Sequence, residues 1–352
     1  MDTASEIDLI IVGQGLAGSA VAMRALALDH RIVVLDDPSQ NRSSSIAAGL
    51  FNPITGRSMV KTWLADLLFP ALFQYYSEVE RLTGRKFFHP MPLYRPFATI
   101  EEQNEWMGKS SDILYKNYIS HLSATPGFKG EVNDPLGGIT LKQTGYLDTQ
   151  TYLEAVRGYL KYRAAFKEQS FDREKLIVRD NFVQYENFTA KKIIFCQGVQ
   201  NTSNPWFDHI PVTSLKGEFL TVQSDWKKDV ILNRGVYMVP GTQLDEWRVG
   251  STYNRNDHLP GITSWARNEL TQKLGDIFSM KYTITGQEWG VRPITPDRKP
   301  VIGKHPKHNS LIIFNGFGTK GVSLAPYFSE VLIRWVGNKG TIDKEADVTR
   351  FN

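Results

Sequence analysis

One segment near the start of the chain does most to limit its fold. Residues 7–12 (IDLIIV) form an apolar, β-branched run that reads as a strand buried on both faces. Residues 13–18 (GQGLAG) follow, then an Ala-rich stretch at 19–28 with apolar residues at helical spacing. Residues 31–35 (RIVVL) read as a second apolar strand, ending at Asp36 and Asp37. Strand, glycine turn, helix and strand in about 30 residues match one parallel crossover unit. The glycines have separate tasks: Gly13 permits the tight turn, Gly15 lets a pyrophosphate approach the backbone, and Gly18 lets the helix pack close to the strand. The helix N-terminus, with Leu16 and Ala17 in its first turn, offers N–H groups and partial positive charge to phosphates. Asp36 stands where a carboxylate would grip ribose hydroxyls, whereas Asp37 reads as a solvated turn residue. The pattern alone does not choose FAD over NAD.

The chain closes on a similar unit. Residues 311–314 read as a strand, 316–321 (GFGTKG) as a glycine turn and 322–336 as an amphipathic helix. Such an element presents N–H donors and a helix N-terminus, which near a flavin's pyrimidine edge would favour the negative charge of the reduced ring. Between the two units, 43–56 reads as a loop of small residues. Residues 59–81 read as a helix broken or kinked at Pro70, and 101–107 as a polar helix. Asp148 or Thr149 is expected to cap a helix running to about 162. Residues 191–195 read as a strand stopped by CQG at 196–198. From 212 to 251 strand-like runs at 218–222, 235–239 and 247–250 alternate with turn residues, which predicts an antiparallel sheet. Residues 263–278 read as one helix.

Composition narrows the class. The 352 residues suggest about two domains, and the apolar and charged fractions are those of an ordinary globular chain. No uninterrupted apolar stretch is long enough to predict a membrane-spanning helix. The acidic start at 1–8 lacks the pattern of a secretory signal. A single cysteine, Cys196, excludes an internal disulfide and a cysteine metal site and points to a reducing, cytoplasmic setting; its own expected role is a small buried residue. A net charge of +4 without a basic block does not point to nucleic acid. The seven histidines show no metal-ligand spacing, so no metal is expected.

Five separated segments carry a resemblance: residues 11–18 with Asp36; 44–49 (SSIAAG); 193–198 (IIFCQG); 289–303 (WGVRPITPDRKPVIG); and 315–321 (NGFGTKG) followed by 324–326. Together they resemble the D-amino-acid oxidase-type family of FAD-dependent amine oxidoreductases, which includes glycine oxidase and sarcosine oxidase. The resemblance implies an α/β chain with a discontinuous Rossmann-like FAD domain and an inserted α+β substrate domain containing an antiparallel sheet. The expected FAD segments are 1–85, 140–210 and 287–352, and the expected substrate segments 86–139 and 211–286. It further implies that a small amino or imino acid, or an N-substituted glycine, gives hydride from its α-carbon to flavin N5, with O2 or another electron acceptor closing the cycle. Carried over by motif, the cofactor residues are Gly13, Gly15, Leu16, Ala17, Gly18, Asp36, Ser44, Ala47, Ala48, Gly49, Leu50, Gly198, Gly316, Gly318, Thr319, Lys320 and Gly321. Arg292 takes the place of the family's carboxylate-binding arginine, whose planar guanidinium holds a carboxylate by two parallel bonds. Tyr237 and Tyr253 take the places of substrate-facing residues. No cysteine stands near the Arg-Pro motif, so FAD is expected to be non-covalent. Lys320 is expected either at the flavin or in solvent, and Lys61, just past the small-residue loop, is given no role. The last glycine turn is also similar to an oxidase domain that modifies a carboxymethylamino nucleoside of tRNA, which leaves RNA open as a partner. A flavin-binding protein without turnover is the remaining alternative. Oligomeric state is open.

Overall fold

The computed structural model describes residues 5–39, 43–56, 59–255, 257 and 259–351. Its first strand, Ser5–Val12, pairs in parallel with Ile32–Asp36 on one side and Phe188–Phe195 on the other. Phe166–Glu168 extends the sheet beyond Ile32–Asp36, and Leu311–Asn315 joins in parallel beyond Phe188–Phe195. Alternate residues of the first strand serve different cores, which is why the run is apolar without a break: Leu9 and Ile11 pack on the helical side, Ile10 and Val12 on the other. The helical side is built by Leu16–Ala27, Ala65–Thr83, Thr149–Tyr162 and Gly321–Val336, which pack on one another.

A second sheet of eight strands carries the other half of the fold. In spatial order it runs Thr283–Ile294, Thr213–Gln223, Glu246–Gly250, Val236–Pro240, Ile231–Arg234, Leu93–Pro96, Gly138–Leu141 and Ile119–Ser123. Its pairings are antiparallel except between Ile231–Arg234 and Leu93–Pro96. Leu220, Val222, Met238, Trp247 and Val249 turn one face toward helix Ser264–Gly275, where they bury with Leu270 and Leu274. The opposite face turns toward the first sheet.

The α/β class, both end units and the inserted antiparallel sheet therefore stand as expected. Several local readings change. The helix expected at 59–81 begins at Ala65 and passes through Pro70, because Leu68, Phe69, Leu72, Tyr75, Tyr76 and Val79 keep one face buried while Pro70 is on the solvent side. The 43–56 loop contains a single helical turn, Ser43–Ile46, and short strands Leu50–Phe51 and Ile54–Thr55. Asp148, rather than Thr149, caps its helix, accepting from the Thr151 N–H at 3.0 Å. Thr263 likewise caps Ser264–Gly275, which ends before 278. The expected segment limits at 139/140 and 286/287 fall inside strands Gly138–Leu141 and Thr283–Ile294. We propose that the substrate unit takes both strands whole.

Candidate functional site

A cavity of about 2470 Å3 runs between the two sheets. At one end it meets Asp36, Asp37 and Ser170; it passes the first glycine turn, then the 47–50 loop and the last glycine turn, and ends on the antiparallel sheet. Every residue assigned above to the cofactor or substrate lines it except Gly18. Gly18 sits beneath, where a Cβ would lie 1.8 Å from the Gly13 carbonyl oxygen and 3.3 Å from the Cys196 Cβ. Its task is close helix–strand packing, as the spacing implied. Gly15 caps the helix without a side-chain bond of its own, and Ser44 Oγ accepts from the Leu16 N–H at 3.2 Å. Asp36 ends its strand with Oδ1 accepting from the Gln14 N–H at 2.8 Å, so the carboxylate is held against the turn it serves.

The remaining walls of this end are tied by named bonds. Ala47 O accepts from Thr149 Oγ1 at 2.9 Å and from Arg248 Nη1 at 3.3 Å, which pins the small-residue loop to both units. Asn315 is buried and its Nδ2 donates to Gly198 O at 2.8 Å, while its Oδ1 accepts from the Gly316 N–H at 2.8 Å. One side chain thus joins the 196–198 turn to the last glycine turn. A bare-backbone turn, a helix N-terminus, an acid at the end of the next strand and a second helix N-terminus along one elongated cavity fit a dinucleotide with a ring system at its far end.

On the antiparallel sheet, Arg292 leaves its strand and lies over the neighbouring one. Its Nη2 donates to Ser251 Oγ at 2.7 Å and its Nη1 to Thr252 O at 3.4 Å. A Cβ on Gly217 would stand 2.2, 2.4 and 2.6 Å from Nη1, Nη2 and Cζ, so the guanidinium rests on bare backbone. The Tyr253 ring centroid is 5.2 Å from Cζ. Among the described residues Arg292 makes no ion pair, and three of its five N–H groups are uncommitted. The Tyr237 hydroxyl reaches the same spot: a Cβ on Gly250 would lie 2.5 Å from it. Burial raises the Tyr237 phenol to about 12, against the opposing pull of Arg292, so it keeps its proton at neutral pH. Tyr253 lines the cavity at its open side, where it is 61% exposed.

Lys320 lines the cavity, donating to Thr62 Oγ1 at 3.4 Å; burial first, then Arg298, lowers its pKa. Lys61 pairs with Asp66 at 2.5 Å and lies over the Tyr118 ring, away from the cavity. Cys196 is buried and burial pushes its thiol well up, which suits an inert packing residue. Among the described residues no cluster of His, Cys, Asp and Glu is arranged to hold a metal, and no helix is long and apolar enough to cross a membrane. His258 lies outside the described residues.

Sequence reasoning missed Gly217, Asn233, Arg248 and Ser251. Gly217 carried a usable signal, since a glycine inside a strand marks close approach of another group; the strand was read as starting one residue later.

Residues 8–335 match the model of the DAO family, described as FAD dependent oxidoreductase. A bifunctional protein ThiO/ThiG of Trichormus variabilis is 23% identical over 351 residues, covering 94% of this chain and 52% of that protein. A D-amino acid dehydrogenase of Helicobacter pylori is 23% identical over 272 residues, covering 72% of this chain and 64% of that protein. The chain thus spans about half to two thirds of the length of these curated relatives. The crystal structure of glycine oxidase from Geobacillus kaustophilus superposes with a TM-score of 0.79 at 18% identity, covering 98% of this chain and 99% of that one, a likeness of fold. The family match over most of its length makes this chain a member of the FAD dependent oxidoreductase (DAO) family.

Proposed function

We propose that the chain is an enzyme that oxidises the C–N bond of a small amino acid or N-substituted glycine with non-covalent FAD. The observation that carries this reading is the Arg292 guanidinium, seated on Gly217 where the cavity meets the antiparallel sheet and, among the described residues, without a carboxylate partner. FAD, when bound, supplies the hydride acceptor. The residues of the chain orient and polarise. Residues 13–18 and the end of Ile32–Asp36 would hold the pyrophosphate and ribose, and the 47–50 and 316–321 turns would face the ring system. Arg292 would take the substrate carboxylate by two of its uncommitted N–H groups, which fixes where in the cavity the α-carbon can lie. Tyr237, still protonated, would donate a hydrogen bond to the substrate carboxylate held by Arg292. No strong protein base is required, because the substrate ammonium need only lose a proton to water before hydride leaves. The relatives named as a D-amino acid dehydrogenase and a glycine oxidase support the same substrate class. The lone, buried Cys196 supports a reducing compartment such as the cytoplasm.

The test is anaerobic bleaching of the yellow holoprotein by glycine, sarcosine, longer N-substituted glycines, proline and D-amino acids, followed by air. Bleaching by one of these and a large rise in KM in Arg292→Ala, with FAD retained, support the reading. Absence of bleaching by all of them, or an unchanged KM, refutes it.

A further inference from the structure

The wall beyond Tyr237 carries a polar side chain that the reaction above leaves unused. Asn233 pairs across strands with Tyr237, which pairs in turn with Gly250. Cross-strand partners share a face, so Asn233 stands on the cavity face of the sheet, and it lines the cavity. It is partly buried, and among the described residues its amide makes no side-chain hydrogen bond. Its neighbour Arg234 is committed, donating to Pro96 O at 2.6 Å and to Glu102 Oε2 at 2.8 Å. Uncommitted donors and an acceptor are thus held at a fixed distance from the carboxylate clamp.

That distance can be read from the sheet. The Arg292 guanidinium rests on Gly217 and bonds Ser251, so it lies over strands Thr213–Gln223 and Glu246–Gly250. Asn233 is two strands beyond Glu246–Gly250, which is about 10 Å at ordinary strand spacing. An α-amino acid spans about 2.5 Å from carboxylate carbon to nitrogen, too short to touch both groups. The cavity past Asn233 continues along Phe97 and Trp106, so the space is open to a longer molecule.

We propose that Asn233 is a second anchor, reading a hydrogen-bonding group at the end of an arm of about three to five atoms on the substrate nitrogen. The substrate class is then N-substituted amino acids with a polar-ended arm, in preference to glycine or sarcosine. The proposal rests on the C–N oxidation reading above.

The experiment compares two isosteric pairs on the holoprotein. The first is kcat/KM for N-(3-hydroxypropyl)glycine against N-butylglycine. The second is calorimetric binding of the unreactive acids 5-carbamoylpentanoate and 6-methylheptanoate. The expected result is about a tenfold preference for the polar-ended member of each pair, lost in Asn233→Leu and in Asn233→Ala, with FAD absorbance reporting that each variant is folded. Equal handling of both members, or a preference that survives both substitutions, overturns the anchor while leaving C–N oxidation intact. If neither glycine is oxidised yet the acids bind with an Asn233-dependent preference, the anchor stands and the reaction reading fails.

Discussion

Gly217→Ala tests whether the seat beneath Arg292 is part of the machinery. The new methyl carbon would meet Nη1 at 2.2 Å, where ordinary contact begins at 3.4 Å, so the guanidinium must retreat by roughly 1 Å. The bonds to Ser251 Oγ and Thr252 O, at 2.7 and 3.4 Å, cannot both survive that retreat. A reactant misplaced by about 1 Å loses on the order of a hundredfold in rate, or about 2.7 kcal/mol in the barrier. Alanine fits a strand as well as glycine does, so folding should suffer less than binding does. The assay is kcat/KM for whichever amine bleaches the flavin, with acetate binding measured by calorimetry, in wild type, Gly217→Ala, Arg292→Ala and the double variant. Because Gly217 acts through Arg292, the double variant should be no worse than Arg292→Ala alone. An unchanged kcat/KM in Gly217→Ala, or losses that add in the double variant, would refute the reasoning.

Three further outcomes follow from the geometry. Gly18→Ala forces a methyl against the Gly13 carbonyl and should destabilise the fold by about 1–3 kcal/mol in urea titration and release FAD on gel filtration; a protein that stays yellow with an unshifted midpoint contradicts the close packing. Tyr237 holds its proton from the ordinary phenol value of 10.0 up to about 12, so in that window the folded state binds a proton the unfolded chain gives up, and stability falls as pH rises. Tyr237→Phe should flatten that alkaline loss, and the wild-type kcat/KM profile should show no break from this phenol below pH 10. Cys196 should resist iodoacetamide in the native protein and take one label in denaturant, read by intact mass; native labelling at the denatured rate would contradict its buried, neutral thiol.

What was legible in the sequence was whatever a short stretch of chain specifies by itself. The 13–18 turn, Asp36 and the helix after it lie within one crossover unit, so spacing alone maps onto geometry. Arg292 was found through a motif. Gly217, Ser251 and Asn233 depend on which residue stands opposite which: Gly217 faces Gly290, and Asn233 faces Tyr237. A one-residue slip would send each to the other side of the sheet, and local composition does not carry that register. The start of the Ala65–Thr83 helix was missed for a related reason. Leu64 takes a left-handed turn at φ 54° that its residue type does not advertise, held by packing from distant segments.

The nucleotide cradle is built from stretches far apart in the sequence. Leu311–Asn315 is the parallel neighbour of Phe188–Phe195, and the turn after it completes the walls that Gly13 began. Until Leu311–Asn315 is in place, the backbone edge of Phe188–Phe195 lacks that parallel partner. The cavity is therefore walled only once residues 311–321 have joined the first sheet, and a dinucleotide bound there should slow proteolysis of both stretches together.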